Sequence, residues 1–292
     1  MGTILSRHAY AKVNLHLAVG APFADGYHPI ESVFSLVGLS DHIEMEWKES
    51  ASFSVEVSGL ESYCKTGEDT LTKAARLWYQ RSRMPVSLRV HCEKHIPVKA
   101  GLGGGSSDAA ALLSLLQEAA GQRALPSAEL KEIALGVGSD VPFFLSGFSC
   151  ALVEGRGERI TGLSVEPKHI LLALPRGYSV STKSAYATLD TLMHRHEAEQ
   201  RPSSADVIAM LDKNTPEWGR VFFNDFEKCT EYPDFYEPVG RLASRYAGFG
   251  SLSGSGSCWY FISENEKSVL ELCRELEKMF LDSVQLWCTT LI

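Results

Sequence analysis

Residues 96–108 read Ile-Pro-Val-Lys-Ala-Gly-Leu-Gly-Gly-Gly-Ser-Ser-Asp and run straight into the apolar stretch Ala109-Ala110-Ala111-Leu112-Leu113. Gly101, Gly103, Gly104 and Gly105 put four glycines within five positions. Glycine tolerates positive φ and has no Cβ, so such a loop can fold back and aim its amide N–H groups inward. A helix opening at Ser106 or Ser107 would add unpaired first-turn N–H groups and the positive end of its dipole. That ring of donors suits a polyphosphate. A flexible linker is the competing reading, but linkers are not followed at once by a serine cap and an alanine–leucine helix. A Walker A loop is excluded because no lysine precedes Ser106, and the dinucleotide fingerprint because position 106 is not glycine. A dehydrogenase is accordingly a poor fit.

Three other places carry side chains capable of chemistry. Residues 9–19 alternate as a strand, with Val13, Leu15, Leu17 and Val19 on one face and Lys12, Asn14 and His16 on the other. On pattern alone, the polar set is accounted for by a solvated face of an edge strand. Asp25-Gly26-Tyr27-His28-Pro29 is a turn around an aromatic pair that could stack on and hydrogen-bond a flat heterocycle, or decorate the surface. Gly138-Ser139-Asp140-Val141-Pro142-Phe143-Phe144 places Asp140 at the mouth of an apolar segment. There a catalytic carboxylate and the cap of a helix begun by Pro142 are equally good explanations.

The elements that must position these residues follow from periodicity. Ile43, Met45 and Trp47, then Phe53, Val55 and Val57, read as a hairpin around a polar turn. Helices are expected over 69–83, from Ser107 to Ala120 with Gly121 as C-cap, and from Ser127 to Gly136. Val86 to Cys92 forms a strand leading into the glycine loop, and 149–154 a further strand ending at the break Gly155-Arg156-Gly157. Beyond it come a buried strand over 170–174 and a helical run through Tyr186, Leu189 and Leu192. A polar loop over 195–204 and a glycine–serine loop over 248–257 follow. The chain ends on a strand over 258–262, an amphipathic helix over 264–281 and a strand through Cys288. The fold class is α+β. No internal repeat is visible.

Composition narrows the function classes. The chain has 292 residues, 45% of them hydrophobic and 22% charged, as expected for a globular protein of one large or two ordinary domains. A formal charge of -8 offers no general attraction to nucleic acid or an anionic membrane, so neither is expected as a partner. An anionic substrate would need local help from a lysine, a metal ion or the amide nest. The seven cysteines are scattered and never spaced Cys-x-x-Cys, which argues for reduced thiols and a cytoplasmic location. No run approaches the roughly 18 apolar residues of a membrane span, and no signal peptide is expected. The match of Met1 to Ser6 to the loose myristoylation pattern is attributed to chance.

Taken together, Ala11-Lys12-Val13-Asn14-Leu15, Pro97 to Ala111 and Phe249 to Ser257 occur in the order of three family motifs. The chain thereby resembles the small-molecule kinases named after galactokinase, homoserine kinase, mevalonate kinase and phosphomevalonate kinase. The Asp25 to His28 turn, the triple-glycine loop, Gly138 to Phe144 and Asn224-Asp225-Phe226-Glu227 narrow the match to the branch acting on a cytidine diphosphate conjugate of methylerythritol. The matches span residues 9–261.

The resemblance implies an ATP- and Mg²⁺-dependent transfer of the γ-phosphoryl group to the 2-hydroxyl of the methylerythritol moiety, in the non-mevalonate route to isoprenoid precursors. It implies a two-domain fold, with a ribosomal S5 domain 2-like ATP-binding and catalytic domain over 1–157. A ferredoxin-like, substrate-side domain would cover 158–292. Lys12 and Asp140 would be the catalytic pair, 128 positions apart in the chain. Asn14, Tyr27, His28, Thr182 and Tyr186 would bind substrate, Tyr186 standing where the family usually has phenylalanine. Lys99, Ala100, Gly101, Leu102, Gly103, Gly104, Gly105, Ser106 and Ser107 would bind ATP, with Ser107 a Mg²⁺ contact. Gly254, Ser255 and Gly256 would support the loop, and Asp108 would point away from the phosphates. Where the family commonly has an asparagine near adenine, this chain reads Glu68-Asp69-Thr70, leaving Asp69 or Thr70 as substitutes. Monomer and homodimer are both compatible with the sequence, and two rivals stay open: a sibling kinase for another alcohol, and a non-catalytic nucleotide sensor.

Overall fold

The computed structural model describes residues 2–193, 201–229 and 232–292. The chain divides into two compact units, each assembled from separated segments. The first comprises Met1–Ala11, Leu39–Val98 and Gly103–Phe148; the second comprises Lys12–Gly38, Lys99–Leu102 and Ser149–Ile292. Strands β1 (Thr3–Val19) and β2 (Ile30–Glu49) therefore contribute residues to both.

In the first unit, β4 (Val86–Glu93) pairs antiparallel with β2, from His42 opposite Glu93 to Glu49 opposite Val86. Its other edge pairs parallel with β3 (Ser54–Ser58), Val55 lying opposite Leu88. The hairpin expected between 43–47 and 53–57 is thus corrected: β4 lies between the two strands. The reason is the intervening helix α1 (Thr70–Ser82), which makes β3–α1–β4 a crossover joining parallel strands. β4 alternates buried and exposed residues along its whole length and suits the middle position, whereas β3 is half-exposed and takes the edge. The inward residues Met45, Trp47, Leu88 and Val90 pack with Leu71, Ala75 and Trp78 of α1 and with Leu112 and Leu116 of α2 (Gly104–Ala120). Helices α3 (Ser127–Val137) and α4 (Val141–Leu145) close this core.

Helix α2 also begins earlier than expected. Gly104 opens it and Gly103 is its N-cap at φ 70, a left-handed conformation that glycine adopts without strain. Ser106 and Ser107 are inside the first turn and do not cap it. Asp69 does cap α1, its carboxylate accepting from the Thr72 amide at 2.6 Å.

In the second unit, the first half of β2 pairs with β5 (Cys150–Gly155), which turns at 156–158 into β6 (Arg159–Leu163). A four-stranded antiparallel sheet follows in the order β10–β7–β9–β8, from β7 (His169–Pro175), β8 (Phe249–Leu252), β9 (Trp259–Ser263) and β10 (Val284–Thr290). Residues 249–252, expected to be loop, are strand: Phe249 and Leu252 are buried apolar positions whose pairing with Ile262 and Trp259 outweighs the flanking glycines and serines. Helices α5 (Thr182–Met193), α6 (Ser204–Met210), α7 (Thr215–Trp218), α8 (Pro233–Ala243) and α9 (Glu266–Phe280) complete the unit. The polar loop expected over 195–204 lies largely outside the described residues, and from Ser204 the chain is helical, held by the Ser203–Asp206 capping box. Among the described residues no helix is long and apolar enough to cross a membrane.

The central position of β4 is testable. Leu88 is 1% exposed, so Leu88→Ala should cost about 2–5 kcal/mol of unfolding free energy in urea titrations. Val55→Ala, on the half-exposed edge strand, should cost distinctly less. Equal costs would contradict this strand order.

Candidate active site

The polar face of β1 is not solvated. Lys12, Asn14 and His16 are 4%, 2% and 1% exposed, so the edge-strand reading is overturned. Both faces of β1 are covered here, and each buried polar group needs partners. Lys12 Nζ donates to Asn14 Oδ1 at 2.6 Å and lies 4.6 Å from the centre of the Phe34 ring. Asn14 Nδ2 donates to Ser32 Oγ at 2.9 Å, and Ser32 donates on to the His16 carbonyl. The Tyr260 hydroxyl donates to the Asn14 carbonyl at 2.8 Å. Lys12 is thereby fixed at the end of a short polar chain against an aromatic face.

The same unit brings the entry of the glycine loop to this strand. The Lys12 amide donates to the Leu102 carbonyl at 3.0 Å, and the Cys258 amide to the Ala100 carbonyl at 3.1 Å. A Cβ on Gly101, at φ +78, would stand 2.0 Å from the Ser253 carbonyl oxygen, so only glycine fits there. A Cβ on Gly254 would lie 3.5 Å from Gly101 Cα and 3.6 Å from Asn14 Oδ1. Asn14, Gly101 and Gly254, separated by up to 240 positions in sequence, therefore share one neighbourhood. Asn224 ties the second loop down, donating through Nδ2 to the carbonyls of Leu252 and Gly254 at 2.7 and 2.8 Å. Thr182 Oγ1 and Ser255 Oγ are 3.1 Å apart.

His28 and Tyr186 are stacked, with ring centres 4.9 Å apart and planes 24° from parallel. Tyr186 in turn meets the edge of Phe226. Both ring nitrogens of His28 face oxygen: Nδ1 is 3.0 Å from the Gly20 carbonyl and Nε2 3.2 Å from Asp190 Oδ1. Tyr27 stands 46% exposed, with the Arg156 guanidinium 5.0 Å over its ring. Arg156 also pairs with Asp25 at 2.6 Å and holds that carboxyl below the ordinary carboxylate range.

The first unit contains the exit of the loop and Asp140. The carbonyl of Gly103 accepts from the amides of Ser106 and Ser107, starting α2. A Cβ on Gly138 would lie 3.7 Å from Ser106 Oγ, so the turn carrying Asp140 runs beside the first turn of α2. Asp140 precedes α4, yet its side chain makes no cap hydrogen bond to that helix. The capping explanation therefore falls. Asp108 points inward, 2% exposed and paired with Lys94 at 2.9 Å. Of the two residues offered in place of the family's asparagine, Asp69 is engaged as the cap of α1, and Thr70 Oγ1 donates to the Gly105 carbonyl at 2.6 Å. Among the described residues no cluster of three or more His, Cys, Asp or Glu side chains could hold a metal ion.

Sequence reading missed Ser32, Phe34 and Asp190. Their sequence neighbourhoods carry no signal; strand pairing and helix docking alone bring them to Asn14, Lys12 and His28.

The chain matches the family model described as the GHMP kinases N terminal domain over residues 69–148, which include the exit of the glycine loop and Asp140. Fold and loop together define a GHMP-type kinase. A 4-diphosphocytidyl-2-C-methyl-D-erythritol kinase from Caldicellulosiruptor saccharolyticus is 35% identical over 285 residues, covering 96% of this chain and 95% of that protein. The kinase of the same name from Treponema pallidum is 34% identical, covering 97% of each. A crystal structure of 4-(cytidine 5'-diphospho)-2C-methyl-D-erythritol kinase matches with a TM-score of 0.76 at 28% identity, covering 98% of this chain and 99% of that one. Mevalonate kinase of L. major shares the fold, with a TM-score of 0.72 at 14% identity. The chain belongs to the 4-diphosphocytidyl-2-C-methyl-D-erythritol kinase family.

Burial of the β1 polar face has a pH signature. Burial lowers the His16 pKa from 6.5 to about 4, against the opposing charge of Asp225 and with a smaller contribution from Arg201. Between those two values the unfolded chain binds the proton and the fold does not, so stability falls as pH drops from 6.5 towards 4. The loss should reach about 3 kcal/mol near pH 4. Urea unfolding of wild type and His16→Gln across this range should show a shallower slope in the variant, and identical slopes would refute the assignment.

Proposed function

We propose that this chain transfers the γ-phosphoryl group of ATP to the 2-hydroxyl of 4-diphosphocytidyl-2-C-methyl-D-erythritol, a step of the non-mevalonate route to isoprenoid precursors. The observation that carries the reading is the 35% identity to a kinase of that name over 96% of the chain, with the glycine loop intact. A cytoplasmic setting fits this small-molecule chemistry.

In the reaction, the substrate oxygen bonds to the γ-phosphorus, the bond from that phosphorus to the β,γ-bridging oxygen breaks, and the hydroxyl proton leaves. Such transfers depend on positioning and charge stabilisation. Asp140 accepts the proton; the passage of its turn beside the first turn of α2 supports this role. Lys12 offsets charge on the transferring group, and its seat between Asn14 and the Phe34 ring supports a fixed ammonium. The amides of 99–105, with Ser106 and Ser107, bind the phosphates, and Gly254, Ser255 and Gly256 support the loop. ATP binding and catalysis fall within 1–157, and 158–292 adds Thr182 and Tyr186 to the substrate side that Tyr27 and His28 begin.

Mg²⁺ supplies charge neutralisation at the phosphates when bound. Of this chain's residues, Ser107 would contact the magnesium ion through its hydroxyl oxygen. Tyr27, His28, Thr182 and Tyr186 recognise the cytidyl group. The His28–Tyr186 stack supports a site for a flat ring, and Tyr186 keeps the π-face that phenylalanine would offer.

An ADP-release assay with purified protein, ATP, Mg²⁺ and the cytidyl substrate tests the reading. Turnover is expected with that alcohol and not with mevalonate, homoserine or galactose. Asp140→Ala should lower kcat by about 10²–10⁴, and Lys12→Ala should also cripple it. ATP binding without turnover on any alcohol would instead indicate a nucleotide sensor, and turnover on another alcohol a sibling kinase.

A further inference from the structure

Beneath the exit of the glycine loop lies a charged cluster that the proposed chemistry does not use. Lys94, one residue past the end of β4, turns inward until its side chain is 5% exposed. Its ammonium donates to Asp108 Oδ2 at 2.9 Å and to Asp41 Oδ2. Asp41 Oδ1 accepts from the amides of His95 and Ile96 at 2.6 and 2.8 Å. The two carboxylates are 0% and 2% exposed, and Asp108 Oδ1 is buried with no hydrogen-bond partner. A Cβ on Gly104 would stand 2.9 Å from Lys94 Nζ and 3.0 Å from Ile96 Cγ2. The lysine head therefore sits directly against the first residue of α2.

Taking three charges out of water costs several kcal/mol each before pairing, so the cluster is a poor device for stability alone. Its placement suggests another use. Asp41 grips residues 95 and 96, where the chain enters the loop, while Lys94 reaches from residue 94 to Asp108, one turn into the helix at the loop exit. The seven residues between, 97–103, include Gly101 and Gly103, both at positive φ, where glycine's wide choice of conformations must be narrowed to one. Pinning both ends of such a loop lowers the ordering cost that its ligand would otherwise meet.

We propose that Asp41, Lys94 and Asp108 are positioning residues that preorganise the glycine loop for the ATP phosphates. The proposal rests on the reading of that loop as the ATP site. Burial opposes the charge on Lys94, but Asp108 and Asp41 together hold its ammonium above the ordinary lysine pKa. Burial pushes the Asp108 carboxyl up, and Asp41 beside it adds to this against the pull of Lys94. Asp108→Asn keeps an oxygen for Lys94 and is the conservative change.

The test is calorimetric binding of the non-hydrolysable analogue AMP-PNP with Mg²⁺, beside steady-state KM values for both substrates. Lys94→Met alone strands two carboxylates and can misfold, so Lys94→Met/Asp108→Leu removes the pair while filling its space. In that double variant, provided it is folded by circular dichroism, analogue affinity should fall about tenfold. KM for ATP should rise in step, KM for the cytidyl substrate should stay within about twofold, and Asp108→Asn should bind near the wild-type level. Unchanged analogue binding in a folded double variant would overturn the proposal, as would an equal rise in both KM values. Wild-type protein that binds no analogue would overturn the ATP-site reading itself, which is a separate failure.

Discussion

A loop carrying four glycines in five positions has no shape of its own, and every chemical property argued for this chain depends on what gives it one. Free, such a segment samples both signs of φ and loses more entropy on ordering than any other composition. Its entry is fixed by contacts that leave no room for a side chain: Gly101 lies under the Ser253 carbonyl, and its neighbours Ala100 and Leu102 are bonded to Cys258 and Lys12. Its exit is fixed by Gly103 in the left-handed conformation and by Gly104 against Lys94. The motif residues are small because backbone and buried side chains already occupy the space.

Charge is handled locally. A chain with net charge -8 that binds polyphosphate cannot rely on a general field. Lys12 and Lys94 are both buried, and each is provided for differently. Lys12 has an amide oxygen and an aromatic face among its partners. Lys94 has two carboxylates, so its charge is cancelled. An ammonium held between two buried carboxylates suits a group that holds structure.

Much of this was legible in the sequence, and the failures have physical causes. The glycine loop, helices α1 to α3 and the strand before the loop follow from local composition and periodicity. The β2–β3 hairpin was misread because alternation marks a strand without naming its partner; the crossover through α1 decides that. The helix start at Gly104 and the strand at 249–252 were missed because glycine and serine signal loops until burial and pairing override them. At the site, Lys12 and Asn14 could not be told from a solvated edge by spacing, since their burial comes from elements far along the chain. Asp140 is evenly balanced between cap and functional group on spacing; in the structure it holds the N-cap position of α4 without a side-chain cap hydrogen bond. Ser32, Phe34, Asp190 and Lys94 had no local signature at all, and the resemblance to a kinase family supplied what spacing could not.

The central claim is that the amides around α2's first turn bind the phosphates of ATP. Backbone amide chemical shifts of isotope-labelled protein, followed during titration with Mg²⁺ and AMP-PNP, test it most directly. The account predicts saturable shifts concentrated on Gly101, Gly103, Gly104, Gly105, Ser106 and Ser107. Saturation with those amides unmoved, and shifts clustered elsewhere in the chain, would contradict it.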